Sequence, residues 1–206
     1  MIDTGRGSRW GLRGIAAGGL ALVCGCGQSG HRDGAAQAAQ LPPSGWFPPE
    51  RVADFVHTVI EADRATYAEQ VVNRLQNVEK RISASEHFRE EKLLPLPSQM
   101  MRMGAQLAAQ KSPFRYALIS TWAINKVNTP KTDFEKKALA AIEKTPDVPY
   151  RATDTVAGKK YFMAAYADKA VSVACADCHN HHDESPRHDF KLGDVMGGIV
   201  VTLPLE

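Results

Sequence analysis

Apolar residues return at three- and four-residue spacing from Val52 through Phe55, Val56, Val59, Ala62, Tyr67, Val71, Leu75 and Val78 to Ile82. That is the period of one helix face, and Pro48 and Pro49 suit a first helical turn. The pattern therefore predicts one long amphipathic helix over about residues 50–83. Pro95-Leu96-Pro97 halts the chain, and Ser98 is placed to cap a second helix through Met100, Met101, Met103 and Leu107. Arg115–Ser120 has strand character, and Thr132 and Glu135 have the spacing of a capping box opening a helix through Ala138, Leu139 and Ile142. The runs Tyr150–Val156 and Lys159–Tyr166 flank Ala157-Gly158 and predict a β-hairpin. Val195–Leu203, interrupted by Gly197 and Gly198, predicts a last apolar strand. Helices come first and a mainly antiparallel sheet follows, without an internal repeat, so the expected fold class is α+β.

Ahead of the first helix the pattern is different. Arg6, Arg9 and Arg13 precede Gly14–Val23, a short apolar run with the form of a bacterial export signal. It is too short to cross a hydrocarbon core of ~30 Å as a permanent helix. Gly25-Cys26 directly after it has lipobox form, which implies cleavage before Cys26 and acylation there; at Cys24 the cleavage would have to follow bulky Val23. The alternatives are plain secretion or an uncleaved anchor, with both cysteines inert. Gln28–Gly45 is rich in Gly, Ala, Gln and Pro and reads as a tether, with His31 solvated inside it. The expected organisation is a lipoprotein-type signal over residues 1–25, a flexible tether over 26–48 and one domain over 49–206. No second apolar run of membrane-spanning length follows, so attachment to the periplasmic side of a bacterial membrane is expected through lipid alone.

Composition changes this picture little: 44% of residues are hydrophobic, and a formal net charge of +2 with no basic stripe argues against a nucleic-acid binder. The four cysteines matter more. In an exported chain they would suggest two disulfides, but two fall in the processing segment and leave only Cys175 and Cys178 in the domain.

Those two belong to Cys175-Ala176-Asp177-Cys178-His179, the C-x-x-C-H spacing of c-type haem attachment. Thiols three residues apart on one helical turn can add to the two vinyl groups of one porphyrin. The imidazole that follows then lies under the iron and ligates it. The expected cofactor is one covalent haem c, and export suits an attachment that takes place outside the cytoplasm. A zinc half-site would need a second pair, a thioredoxin-like pair would need a βαβ setting, and a short-loop disulfide would leave His179 a coincidence.

Opposite His179 the sixth iron ligand stays open. Met100 leads, with Met101 and Met103 next; the alternative is that these methionines fill core space. His57 and His87 follow, and water or a vacant position completes the range. His181, His182 and His188 are expected to bond the propionates, to shape the haem edge or to be solvated, and Asp177 and Asp183 to keep that loop soluble. Trp122, Phe134, Tyr150, Tyr161 and Phe162 would either wall the cofactor or pack the core.

The stretch Ala117–Asn125, together with Asp133-Phe134-Glu135, Cys175–His179, Ser185-Pro186 and Gly193–Gly198, resembles the Tll-like haem domain family over nearly all of residues 50–206. The resemblance implies a single-haem c-type module of PAS-like fold outside the cytoplasmic membrane. Its haem-bearing segment would pack on a five-stranded antiparallel sheet, with long helices on the N-terminal side. Pro95–Met100 resembles the pre-helix motif of the family, which places Met100 first. Some members use a cysteine opposite the proximal histidine, and this domain offers none. Many relatives form the sensing halves of transmembrane signalling proteins, whereas this chain stops at Glu206 without a transmitter.

Three functions follow as expectations. The first is a lipid-anchored monohaem cytochrome for single-electron transfer, with a redox protein as partner. The second is a redox or gas sensor reporting to a separate membrane partner. The third is a small peroxidase-like enzyme; no distal acid–base constellation supports it, so no catalytic residue is assigned.

Overall fold

The computed structural model describes residues 47–205. The export segment, most of the tether, and the lipidation candidate Cys26 with Cys24 and His31 lie outside the described residues.

The chain enters α1 (Pro49–Thr66) with prolines in its first turn, where their missing N–H groups cost nothing. The same rod continues as a π-helical stretch (Tyr67–Val78) and stops there, short of Ile82. A spacing of four keeps Ala68 and Val72 on one face in either helix type, so the apolar spacing alone does not distinguish them. Lys80, at φ 50°, turns the chain away. After β1 (Ala84–Ser85), α2 (Phe88–Glu91) and β2 (Leu94–Pro95) comes α3 (Pro97–Lys111), with Leu96 rather than Ser98 at its N-cap. Pro97 takes the first helical position itself, and the Leu96 amide donates to Gln99 Oε1 at 2.9 Å. Ser98 is thus already inside the helix.

β3 (Arg115–Ile119) and a 3₁₀ turn (Lys126–Asn128) lead to α4 (Asp133–Lys144). α4 opens on the reciprocal cap expected: the Glu135 amide donates to Thr132 Oγ1 at 3.1 Å and the Thr132 amide to Glu135 Oε2 at 3.0 Å. β4 (Tyr150–Val156) and β5 (Lys159–Lys169) form the hairpin, joined by Ala157 at φ 50° and Gly158 at φ 77°. Two positive φ values match a two-residue turn whose twist suits the strands. α5 (Val173–His181) and β6 (Val195–Pro204) complete the chain.

The main sheet has the order β3-β6-β5-β4, every pair antiparallel, and β1 and β2 form a separate parallel pair. Among the described residues it has four strands, where the resemblance implied five. α4 covers one face, where Phe134, Ala138, Leu139 and Ile142 meet Ala165, Ala167 and Val200. α1 covers the other, where Ala53 meets Phe162, Ala164, Tyr166 and Val201. α5 closes one end of the sheet through Ala176, packed with Ala170, Phe190 and Met196. No helix among the described residues is long and apolar enough to cross a membrane.

The glycines of β6 are needed for close approach. A Cβ on Gly197 would run into the Ile119 carbonyl oxygen and lie 3.1 Å from Ser120 Cβ. Gly197→Ala is therefore expected to cost about 1–3 kcal/mol, because a strand backbone, not a flexible side chain, would have to move. A lowered melting temperature by circular dichroism checks this, and an unchanged one counts against it.

Candidate functional site

Local chemistry fixes α5. Ser172, itself buried, caps it by accepting from the Ala174 amide at 3.3 Å. At the other end Asn180 holds the returning loop twice, donating to the Phe190 carbonyl at 2.8 Å and accepting from the Phe190 amide at 2.9 Å. With Ala176 turned into the core, Cys175, Cys178, His179 and His182 fall at three- and four-residue spacing along one stripe. All four line a single cleft.

The cleft holds about 1250 Å³ of atom-free space, its open mouth included. The π-helical stretch supplies Ala68, Val72 and Gln76, the start of α3 supplies Leu96–Gln99 and Arg102, and the end of β3 supplies Leu118, Ile119 and Ser120. Arg64 and Asp168 line it as well, joined by a two-point ion pair of 2.8 Å and 3.0 Å with both side chains enclosed. Ser120, whose hydroxyl donates to the Met196 carbonyl at 2.6 Å, ties β3 to β6 at the cleft wall.

The residues present fit a c-type haem. Both thiols are unbridged, and burial pushes Cys175 upward, so it stands as a protonated thiol. Burial first, and the neighbouring His182 and Arg64 charges second, push His179 down to about 4. Its ring is therefore neutral at pH 7 with a lone pair to offer a metal. His179 Nδ1 is enclosed with no hydrogen-bond partner. Phe190 meets the His179 ring edge-on at 5.6 Å, Trp122 meets Phe190 at 5.7 Å, and Arg187 lies 4.3 Å and 5.0 Å over the Phe190 and Trp122 rings. This stack braces the plane of the imidazole.

Other residues singled out in the sequence lie elsewhere. Met100, Met101 and Met103 are not among the cleft residues, which on α3 are Pro97, Ser98, Gln99 and Arg102. Met101 is buried on the face of α3 turned toward β3, and Met103 Sδ meets Arg89 at 3.5 Å. The one methionine lining the cleft is Met196, packed with Ala176 beneath α5. His57 stacks on Tyr166 at 3.9 Å in the α1–sheet interface, and His87 is exposed; neither lines the cleft. His181 and His188 bond the Asp177 and Asn180 carbonyls at 2.9 Å each, and His182 Nδ1 accepts from the Glu184 amide at 3.1 Å. Three histidines thus fasten the end of α5 and its loop.

Of the five aromatics, only Trp122 stands beside the motif. Phe134 and Tyr150 pair at 5.6 Å on the α4 face, and Phe162 packs under α1. Tyr161 is seven residues from Asp168 along β5, a distance of ~23 Å at strand rise. Arg64, Asp168, Phe190 and the Ala68–Val72–Gln76 face were not apparent in the sequence.

A family model described as Tll0287-like matches residues 50–204. Among solved structures, the cyanobacterial haem protein Tll0287 aligns with a TM-score of 0.51 at 15% identity, covering 78% of this chain and 98% of that one. At that identity the likeness speaks for the fold alone. No curated protein matches the chain.

Proposed function

The chain belongs to the Tll0287-like family, and from that footing we propose that it is an exported monohaem c-type protein whose work is single-electron transfer. One observation carries the reading: Cys175, Cys178 and His179 share one stripe of α5 and together line a single cleft. When bound, haem supplies a one-electron redox centre whose potential is set by ligands, burial and neighbouring charge. Cys175 and Cys178 would hold it by thioether bonds, and His179 would take the iron through a ring nitrogen. Phe190, Trp122 and Arg187 keep that ring from turning. Ala68, Val72, Leu118 and Ile119 would exclude water from the macrocycle. A lipid at Cys26 would keep the domain on the periplasmic face, within reach of a membrane or soluble redox partner, and a PAS-like description of the domain belongs to the same proposal.

A second reading is favoured by the position of α3. Met100, Met101 and Met103 do not line the cleft, and an iron held there without a thioether from α3 would keep room for an exchangeable ligand, as suits a sensor that reports to a separate protein. Oxidised and reduced spectra recorded with and without carbon monoxide decide between them. A reduced spectrum indifferent to carbon monoxide is expected of the electron carrier, and a shifted one of the sensor. Absence of any haem absorbance contradicts both.

A further inference from the structure

Among the described residues, Arg64–Asp168 is the ion pair with both side chains enclosed, at 9% and 6% exposure. Such a pair is a poor way to hold α1 on β5, because well-packed apolar residues of similar volume do as well or better. Its place in the fold points to another role. Both residues line the cleft that Cys175 and His179 line. Asp168 stands where the β5–β6 register shifts between Asp168 and Lys169, an irregularity of the kind that re-aims a side chain beside a functional site. Both terminal nitrogens of Arg64 go to Asp168, while its Nε is enclosed with no partner, so one donor of the guanidinium is not spent on holding the fold.

We propose that the Arg64–Asp168 pair sets the reduction potential of an iron held by His179. This rests on the haem reading above. The oxidised iron carries one positive charge more than the reduced iron, and a fixed charge in a poorly screened interior acts on that difference. The charges of both residues act on Cys175, and that of Arg64 acts also on His179. Its guanidinium favours the reduced iron, and Asp168 moderates the effect by neutralising it. Neither residue ligates the metal; both act through its electrostatic surroundings.

The test is a mediated redox titration of the haem-loaded full chain, with electrons supplied by the electrode. Asp168→Asn leaves the guanidinium uncompensated and is expected to raise the midpoint potential. Arg64→Met combined with Asp168→Asn removes both charges, preserves packing where the single change destabilises, and is expected to bring the potential below that of the parent chain. The predicted order, single variant above parent above double variant, is not one that a merely structural pair would produce. A double variant at or above the parent potential overturns the proposal, as does a folded single variant that does not rise. A parent chain carrying no haem overturns the haem reading together with this one, whereas a haem-loaded parent with unmoved variants overturns this one alone.

Discussion

Replacing Cys175 and Cys178 together by Ala is expected to abolish covalently held haem while leaving the fold in place. Both thiols stand on the cleft stripe of α5, and neither belongs to the fully buried core. The helix is held by other means: the Ser172 cap, the Ala176 contact and the Asn180–Phe190 doublet. Losing two sulfur atoms at a cleft wall removes little packing, so far-UV circular dichroism should be retained. Haem staining on a denaturing gel should vanish, because only a covalent link survives denaturation. Each single variant keeps one thiol able to form a thioether and should keep part of the stain. Full staining of the double variant would show that these thiols do not hold the haem.

Ile142→Ala is expected to cost about 2–5 kcal/mol of stability. Ile142 is fully buried on α4 and lies against β6 at Gly198, where a built Cβ would come within 2.7 Å of Ile142 Cδ1. The glycine makes room for the isoleucine and has no side chain with which to fill the space its loss would leave. Leu139 and Ala138 are equally enclosed, so the site collapses little. A urea titration reads the effect as a lower midpoint at unchanged slope. Because α4 covers the face of the sheet opposite α1, haem staining of the folded variant should persist. A midpoint equal to that of the parent would contradict this view of the core.

Much of this was legible because it is local. The capping box of Thr132 and Glu135 lies within one turn, and the Ala157-Gly158 hairpin is set by two adjacent positive φ values. The C-x-x-C-H motif is likewise complete within one and a half turns of α5. Ser98 misled because proline at position 97 claims the first helical turn before a serine cap can act. The π-helical stretch leaves no mark of its own in the sequence, because apolar residues spaced by four satisfy both helix types. Long-range pairing was out of reach: Arg64 and Asp168 are separated by 104 positions, and a lone arginine in an amphipathic helix reads as surface. Residue type alone leaves Phe162 and Tyr161 between a cofactor wall and the core; Phe162 packs in the core under α1, and strand rise carries Tyr161 toward the hairpin end, away from the motif. The methionine cluster is a ligand candidate by its place at the start of the second helix and, for Met100, by the family resemblance, whereas the docking of α3 on β3 decides which way it faces.

The most direct test of the haem assignment is the mass of the peptide containing Val173–His181, released by proteolysis from chain produced where c-type haem is attached. The expected result is that peptide carrying one haem through both cysteines. The same peptide recovered at its bare polypeptide mass would contradict the assignment of Cys175, Cys178 and His179 to a haem.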